Sequence, residues 1–283
     1  MPITLRRPDP ADVPELARIC YEAFKDIAES HGFQKDFESP EQAAGFIGLL
    51  LSQEQVHSVA AYDGDRPRGS NYIQMFGDAA GIGPISVDLD VQGEGIGRTL
   101  MDDVIKHAQA QGVEMIRLVQ DSYNMRSLAL YASLGFDVKE PLALMDLAPG
   151  GALDPALRPA TAADIDAMDE LCRATYHISR KGESALFVQF GFPTFVLDRG
   201  HIAGYLIGGP IGHGVAECED DMLALLAGLG ASAPNTPSVV PLRDGALYRR
   251  ALAAGHRNHK VMNLMSLGPY EEPQGTYCPS VMF

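Results

Sequence analysis

Apolar residues return every three or four positions through residues 13–24, with Val13, Leu16, Ile19 and Phe24 sharing one face. That spacing predicts an amphipathic helix, and Asp12 stands where a capping residue belongs. The helical region runs roughly over residues 12–53 and breaks around "ESHGFQKDFESP". Two strand-like runs follow, "VHSVAAYD" and "RGSNYIQMF", and the Gly-Asp turn between them predicts a hairpin. "IGPISVDLD" reads as one further extended run. Beyond it, Ile96, Leu100, Met101, Val104, Ile105 and Ala108 mark one helix face, with Gly112 placed to end that helix. "VEMIRLVQ" is β-rich, "SLALYASLGF" is a second helix ending at Gly135, and "PLALMDL" is a last strand. Helices and strands alternate behind a leading antiparallel hairpin. This predicts an α+β (mixed α/β) fold, not a doubly wound sheet.

The opening pattern then occurs a second time. "LRRPDPADVPELARICYEAF" at residues 5–24 aligns with "LRPATAADIDAMDELCRATY" at residues 157–176, a constant offset of 152. Leu5 meets Leu157, Arg6 meets Arg158, Asp12 meets Asp164 and Cys20 meets Cys172. The apolar pairs Val13/Ile165, Leu16/Met168, Ile19/Leu171 and Phe24/Tyr176 coincide as well. The offset splits the chain nearly in half, across the turn-rich stretch "LAPGGALDP" at residues 147–155. We expect two copies of one domain, residues 1–148 and 153–283, the second diverged.

Composition narrows the function classes. Hydrophobic residues at 46% and charged residues at 21% suit a soluble globular core. No apolar run approaches the roughly twenty residues of a membrane span, and "MPITLRRPDPADV" carries no secretion-signal pattern. The cysteines Cys20, Cys172, Cys218 and Cys278 lie far apart with no metal-ligand spacing, so we expect reduced structural thiols, a cytoplasmic location and no metal. A formal charge of −15 argues against nucleic acid and anionic membranes as partners. Residues 1–150 hold 12 basic against 23 acidic side chains, a balance of −11. Such a field attracts cationic small molecules such as amines, and it equally serves simple solubility.

The candidate chemistry lies in "VQGEGIGRTL", residues 91–100, where an extended run meets a glycine turn and then a helix. Unpaired N–H groups and the helix dipole make such a junction an anion site. The dinucleotide motif G-x-G-x-x-G fails, since its third glycine would fall on Arg98; the triphosphate loop fails because Gly97 is followed by Arg98 and Thr99. Q-x-x-G-x-G fits, with Gln92, Gly95 and Gly97, and "NMRSLALYASLGF" follows it downstream. With both motifs in this order, the first half resembles the GNAT superfamily of acetyl-CoA-dependent N-acyltransferases.

The resemblance implies a central mixed sheet flanked by helices in each of two tandem domains. It implies that Ile85, Ser86 and Val87 offer backbone groups to the pantetheine arm of CoA. Gln92, Gly93, Glu94, Gly95, Ile96, Gly97 and Arg98 would hold the pyrophosphate, with Arg98 adding charge at the rim or being merely solvated. Asn124 would hold the arm from the other side. Tyr131 would protonate the leaving thiolate, its alternative being a tyrosine that fills the core, and a backbone N–H near Val87 would stabilise the oxyanion. The general base stays open among Glu29, His31, His57, Asp88 and Asp121, with the carboxylate of Phe283 as a remote alternative. His31 is the substrate-facing candidate, because "ESHGFQKDF" falls where the superfamily places its acceptor loop.

The second half has no Q-x-x-G-x-G. Glu217, Glu219, Asp220 and Asp221 crowd its glycine-to-helix passage and would repel a pyrophosphate, while Tyr248 and Gly255 only faintly match the second motif. We expect it to bind no CoA and to help wall the acceptor pocket, with His213 structural. The expected activity is direct acetyl transfer from acetyl-CoA to a primary amine of a small molecule or peptide. The alternative is a non-catalytic acyl-CoA sensor. The expected oligomeric state is a monomer or weak homodimer.

Overall fold

The computed structural model describes residues 3–149, 153–234 and 236–282. Its first half runs β1 (Thr4–Arg6), α1 (Val13–Ser30), α2 (Pro40–Ser52), β2 (Val56–Asp63), β3 (Arg66–Gln74), β4 (Ala80–Ile82), β5 (Ser86–Val87), α3 (Ile96–Ala110), β6 (Ile116–Asp121), α4 (Met125–Ser133) and β7 (Asp137–Asp146). The second half runs β8 (Leu157–Pro159), α5 (Ile165–Tyr176), α6 (Lys181–Gln189), β9 (Thr194–Asp198), β10 (Ile202–Ile207) and β11 (Gly214–Ala216). It continues with α7 (Glu219–Ser232), β12 (Ser238–Pro241), α8 (Gly245–Ala253), β13 (Arg257–Leu267) and β14 (Thr276–Cys278). The second half repeats the order of the first with one strand, β11, in place of β4 and β5, and then adds β14.

Local chemistry repeats with it. Asp9 and Asp12 form a reciprocal cap ahead of α1, and Thr161 and Asp164 form one ahead of α5. Arg6 reaches Asp12 at 3.5 Å, and Arg158 reaches Asp164 at 2.7 Å. One arrangement of strand arginine and cap aspartate thus opens each half.

The compact units do not coincide with the halves. One comprises Met1–Met75 and Ala80–Ile116, the other Phe76–Ala79 and Arg117–Phe283. In the first unit β1, β2 and β3 are successive antiparallel neighbours, and both β4 and β5 pair with β3. The turn between β2 and β3 is Gly64-Asp65, as expected, with Asp63 opposite Arg66. The buried face of α3 comprises Ile96, Leu100, Met101, Val104, Ile105 and Ala108, the stripe read from the spacing.

In the second unit the strand order is β6-β13-β7-β12. The last strand of the second half, β13, therefore lies between β6 and β7 of the first. β7 in turn is enclosed by β13 and β12, with Ser266 opposite Asp137 at one end and Ser238 opposite Met145 at the other. The two halves exchange terminal strands. Ala143 and Met145 of β7 accordingly sit in one apolar core with Leu197, Leu206, Leu225 and Leu229 of the second half. Each buried leucine or methionine among them contributes roughly 1.5–3 kcal/mol of transfer free energy. The stretch at residues 147–155 links the halves along the chain, but it is not where compactness divides. A second sheet, β14-β11-β10-β9-β8, completes this unit.

The Asp164 carboxyl is held down to about 2, first by the Arg158 guanidinium and then by the Thr161 amide and hydroxyl, against burial that raises it. Its contribution to stability is full above the unfolded value, about 3.9, and is lost as pH falls toward the folded one. Arg158 is partly exposed, so solvent screens the pair. Replacing Asp164 with Ala should cost about 1 kcal/mol at neutral pH, as for loss of a helix cap. Urea unfolding of both proteins across the acid range should show that difference shrinking below the normal aspartate titration.

Candidate functional site

β5 holds two residues, and its hydrogen bonding sets the course of the loop after it. Ser70 pairs with Ser86 and Gly69 with Val87, while the Asp88 N–H donates to the Arg68 carbonyl at 2.9 Å. Bonded and non-bonded pairs alternate in an antiparallel ladder, so Gly69/Val87 is the close, non-bonded pair. The N–H and C=O of Val87 therefore point away from β3. Among the described residues β5 pairs with β3 alone, so that side of the strand is an open edge. The Val87 carbonyl accepts the Gln92 side-chain amide at 3.2 Å, which closes the turn. By the same alternation Ser86 directs its backbone to Ser70, and this removes it from the ligand-facing trio expected from sequence; Ile85 and Val87 remain.

The run over residues 82–90, read as one strand, is interrupted. Pro84 has no N–H to give to a ladder. β4 ends at Ile82, and pairing resumes only at Ser86. A short 3-10 turn, Leu89–Val91, then leads into the glycines.

Two further features escaped the sequence reading. A Cβ on Gly69 would lie 2.5 Å from the Ser86 carbonyl oxygen and 3.1 Å from the Val87 Cα, so only glycine permits this approach. A glycine inside a strand-like run, between Arg68 and Ser70, was the available signal. The second feature is the buried Asp88 carboxylate, which accepts from Arg68 Nη1 at 2.9 Å and Arg66 Nη2 at 3.4 Å and faces Arg18 Nη2 at 3.7 Å. It also accepts from the Asp90 N–H at 3.2 Å. Asp88, a candidate base by sequence, is thus an anchor for the turn, its oxygens taken up by cations and an amide.

Gly93 and Gly95 adopt left-handed backbones, φ +91° and +89°, and Gly95 is the N-cap of α3. Among the described residues, the N–H groups of Gly93, Gly95, Ile96 and Gly97 donate to no backbone carbonyl. Thr99 returns both its N–H and its hydroxyl to the Gly95 carbonyl at 3.1 Å, while Ile96 is buried and pins the first turn. The result is a cluster of aligned donors at the positive end of a 15-residue helix, beside an open strand edge.

The family model described as Acetyltransferase (GNAT) family matches residues 11–136, which span this loop and both motifs. Residues 11–136 form a GNAT-family domain. Related curated proteins include the mycothiol acetyltransferase of Nocardioides sp. (strain ATCC BAA-499 / JS614), 30% identical over 150 residues, or 47% of this chain and 50% of that one. The [Ribosomal protein bS18]-alanine N-acetyltransferase of Escherichia coli (strain K12) is 38% identical over 64 residues, 23% of this chain and 43% of that one. The chain therefore spans half or less of the length of these relatives. A crystal structure of a GCN5-related N-acetyltransferase from Sphaerobacter thermophilus matches 97% of this chain and 98% of its own at TM-score 0.65 and 18% identity. An acetyltransferase-type protein from Pyrococcus horikoshii matches 97% and 92% at TM-score 0.79 and 16% identity. These likenesses extend the fold assignment over both halves.

The GNAT domain continues through the second motif. Asn124 caps α4, its side-chain oxygen accepting the Ser127 N–H at 3.1 Å. Tyr131 is 7% exposed with its ring 6.3 Å from that of Phe136. Burial, and secondarily the Asp121 charge, raise its phenol above the ordinary tyrosine value, so it is protonated at neutral pH. Asp121 is bound by Lys260 Nζ and the Tyr123 hydroxyl, both at 2.8 Å. His57 bonds Asp103 at 2.8 Å and stacks on His107 at 3.8 Å between ring centroids. Of the base candidates, Glu29 and His31 remain exposed at the end of α1. His31 Nδ1 lies 2.9 Å from the Ile27 carbonyl and 3.1 Å from the Ser30 hydroxyl.

In the second half His213 is fully buried beside the Ser184 hydroxyl at 3.4 Å. Among the described residues no cluster of three or more His, Cys, Asp and Glu side chains could hold a metal, and no helix is long and apolar enough to cross a membrane. Phe283 lies outside the described residues. The tail leading to it pairs through β14 with β11, and Val281 bonds the Pro210 carbonyl at 2.7 Å.

Replacing Gly69 with Ala should push β5 off β3, because the obstructing atoms are backbone. Amide exchange at Asp88, whose N–H bonds Arg68, should accelerate. Stability measured in urea should drop by roughly 1–3 kcal/mol, as for an overpacked site.

Proposed function

We propose that this chain is an N-acetyltransferase that moves the acetyl group of acetyl-CoA directly to a primary amine within a ternary complex. The observation that carries the proposal is the set of amides at Gly93, Gly95, Ile96 and Gly97, which have no backbone partner among the described residues and lie at the start of α3. Both left-handed glycines admit a close-lying diphosphate that a side chain there would obstruct. The open edge of β5 suits the amide-bearing pantetheine arm through the outward backbone groups of Ile85 and Val87. Gln92 holds that edge in shape, Glu94 lies in the loop, and Arg98 sits at its rim. Asn124, its oxygen committed to the cap, offers its N–H groups to the arm.

Acetyl-CoA, when bound, supplies an acetyl thioester. The outward Val87 N–H is placed to donate to charge that develops on a carbonyl oxygen. Tyr131, a protonated phenol at neutral pH, is the acid for the departing thiolate. His31 is the proposed base or contact for the incoming amine, which as an ammonium must first lose a proton. No covalent acyl-cysteine is proposed: burial pushes the Cys20 thiol up to about 12.

The second half is proposed to take no CoA. Its β11 precedes α7 as β5 precedes α3, but β14 already pairs along β11 from Gly214 to Ala216. The carboxylates at the start of α7 are held by arginines, Glu219 and Asp220 by Arg250 and Asp221 by Arg199. The acceptor is proposed to be cationic, on the −11 balance of residues 1–150. The relatives are named for acting on mycothiol and on a ribosomal protein, so a small molecule and a peptide are both within the proposal. The exchanged strands support a monomer or weak homodimer, and four free thiols support a reducing, cytoplasmic setting.

Titration calorimetry with acetyl-CoA should give saturable heat in the intact protein and none in a Gly95→Asp variant, where a carboxylate enters the cradle. Thiol release over an amine panel should reveal turnover. Tyr131→Phe should lower that turnover by roughly 10²- to 10⁴-fold with CoA affinity nearly intact. Binding without turnover on any amine would replace the enzyme by a non-catalytic sensor; no binding would remove both.

A further inference from the structure

The end of β6 and the start of α4 are held by a strand from the other half of the sequence. Lys260 of β13 has a side chain 3% exposed, and its Nζ lies 2.8 Å from Asp121 Oδ1 at the last position of β6. Next along the chain, Ser122 gives both its N–H and its hydroxyl to the Val261 carbonyl, at 3.0 and 2.8 Å. The Asp121 carbonyl then accepts the Asn124 N–H at 2.9 Å, and Asn124 caps the helix that carries Tyr131. Three consecutive anchors thus run from β13 into the second motif.

We infer that Lys260 is a positioning residue for Tyr131: by neutralising Asp121 and pinning the corner between β6 and α4, the diverged second half sets the charge and the placement of the phenol. The inference rests on the reading of Tyr131 as the acid. Asp121 is the carboxylate whose charge acts on Tyr131, with burial the larger influence. The groups around Asp121 are Lys260 from β13 and the Tyr123 hydroxyl. A carboxylate left unpaired at this depth would repel the electron density of a phenolate and make the phenol a poorer proton donor. The lysine supplies the compensating charge. A second half without a CoA site would then act on the reaction through a side chain that touches no substrate.

The test uses the full chain labelled with 13C at the tyrosine ζ carbon, with the Tyr131 resonance identified by its loss in Tyr131→Phe. Lys260→Met should lower kcat by roughly 10- to 100-fold, the scale of a small misplacement, with KM for acetyl-CoA little changed. It should also move the Tyr131 resonance at neutral pH. Asp121→Asn should move that resonance in the opposite direction, and the double variant should return it toward its starting position. This sign reversal follows from charge and not from a general loosening. A Lys260→Met protein that is less stable yet keeps both kcat and the Tyr131 resonance would overturn the inference. Unchanged turnover in Tyr131→Phe would instead overturn the acid assignment, and the resonance would still report whether Lys260 reaches the ring.

Discussion

A backbone amide must have a partner or face something that can supply one, and this constraint shapes the first compact unit. β5 can satisfy only one of its edges on β3, because Gly69 and Val87 form the close pair and Val87 turns outward. The chain then enters α3 through Gly95, where among the described residues the Ile96 and Gly97 amides also lack backbone partners. These two deficits lie within a dozen residues of each other. What would be a defect in a purely structural domain is here a set of donors held at fixed spacing. Asp88 keeps it so: its carboxylate ties Arg18, Arg66 and Arg68 to the turn between strand and loop.

The second half resolves the same geometry differently. Its β11 gives its corresponding edge to β14, the chain's own last strand, and the start of α7 is filled with carboxylates paired to arginines. One fold, used twice, leaves the strand edge open in one copy and covers it in the other. The diverged copy still contributes, because β13 runs between β6 and β7 and β12 covers the far side of β7. Such an exchange commonly joins two chains across a dimer interface. Within one polypeptide it allows the two copies to diverge separately, so that one can lose a site while its strands continue to support the other.

Much of this was legible in the residues. The stripe from Ile96 to Ala108 is the buried face of α3 because helical periodicity is local and needs no knowledge of neighbours. The Gly64-Asp65 turn and the paired Arg-Asp openings are short-range for the same reason. The glycine loop was found because positive backbone angles leave a compositional trace. The role of Asp88 was not legible, since a carboxylate after a strand looks alike whether it faces solvent or three guanidiniums. The partners of His57 and Asp121 were not legible either, each being distant in sequence. The single strand expected over residues 82–90 failed because one proline outweighed the apolar pattern around it.

By itself, then, the sequence determined the elements, their duplication and the position of the glycine turn, all properties of residues close together along the chain. Which edge stays open, which carboxylates are already neutralised and which half supplies the strand beside β6 were decided only in three dimensions. Those outcomes depend on contacts between segments as far apart as Asp121 and Lys260. No local pattern encodes a partner at that distance.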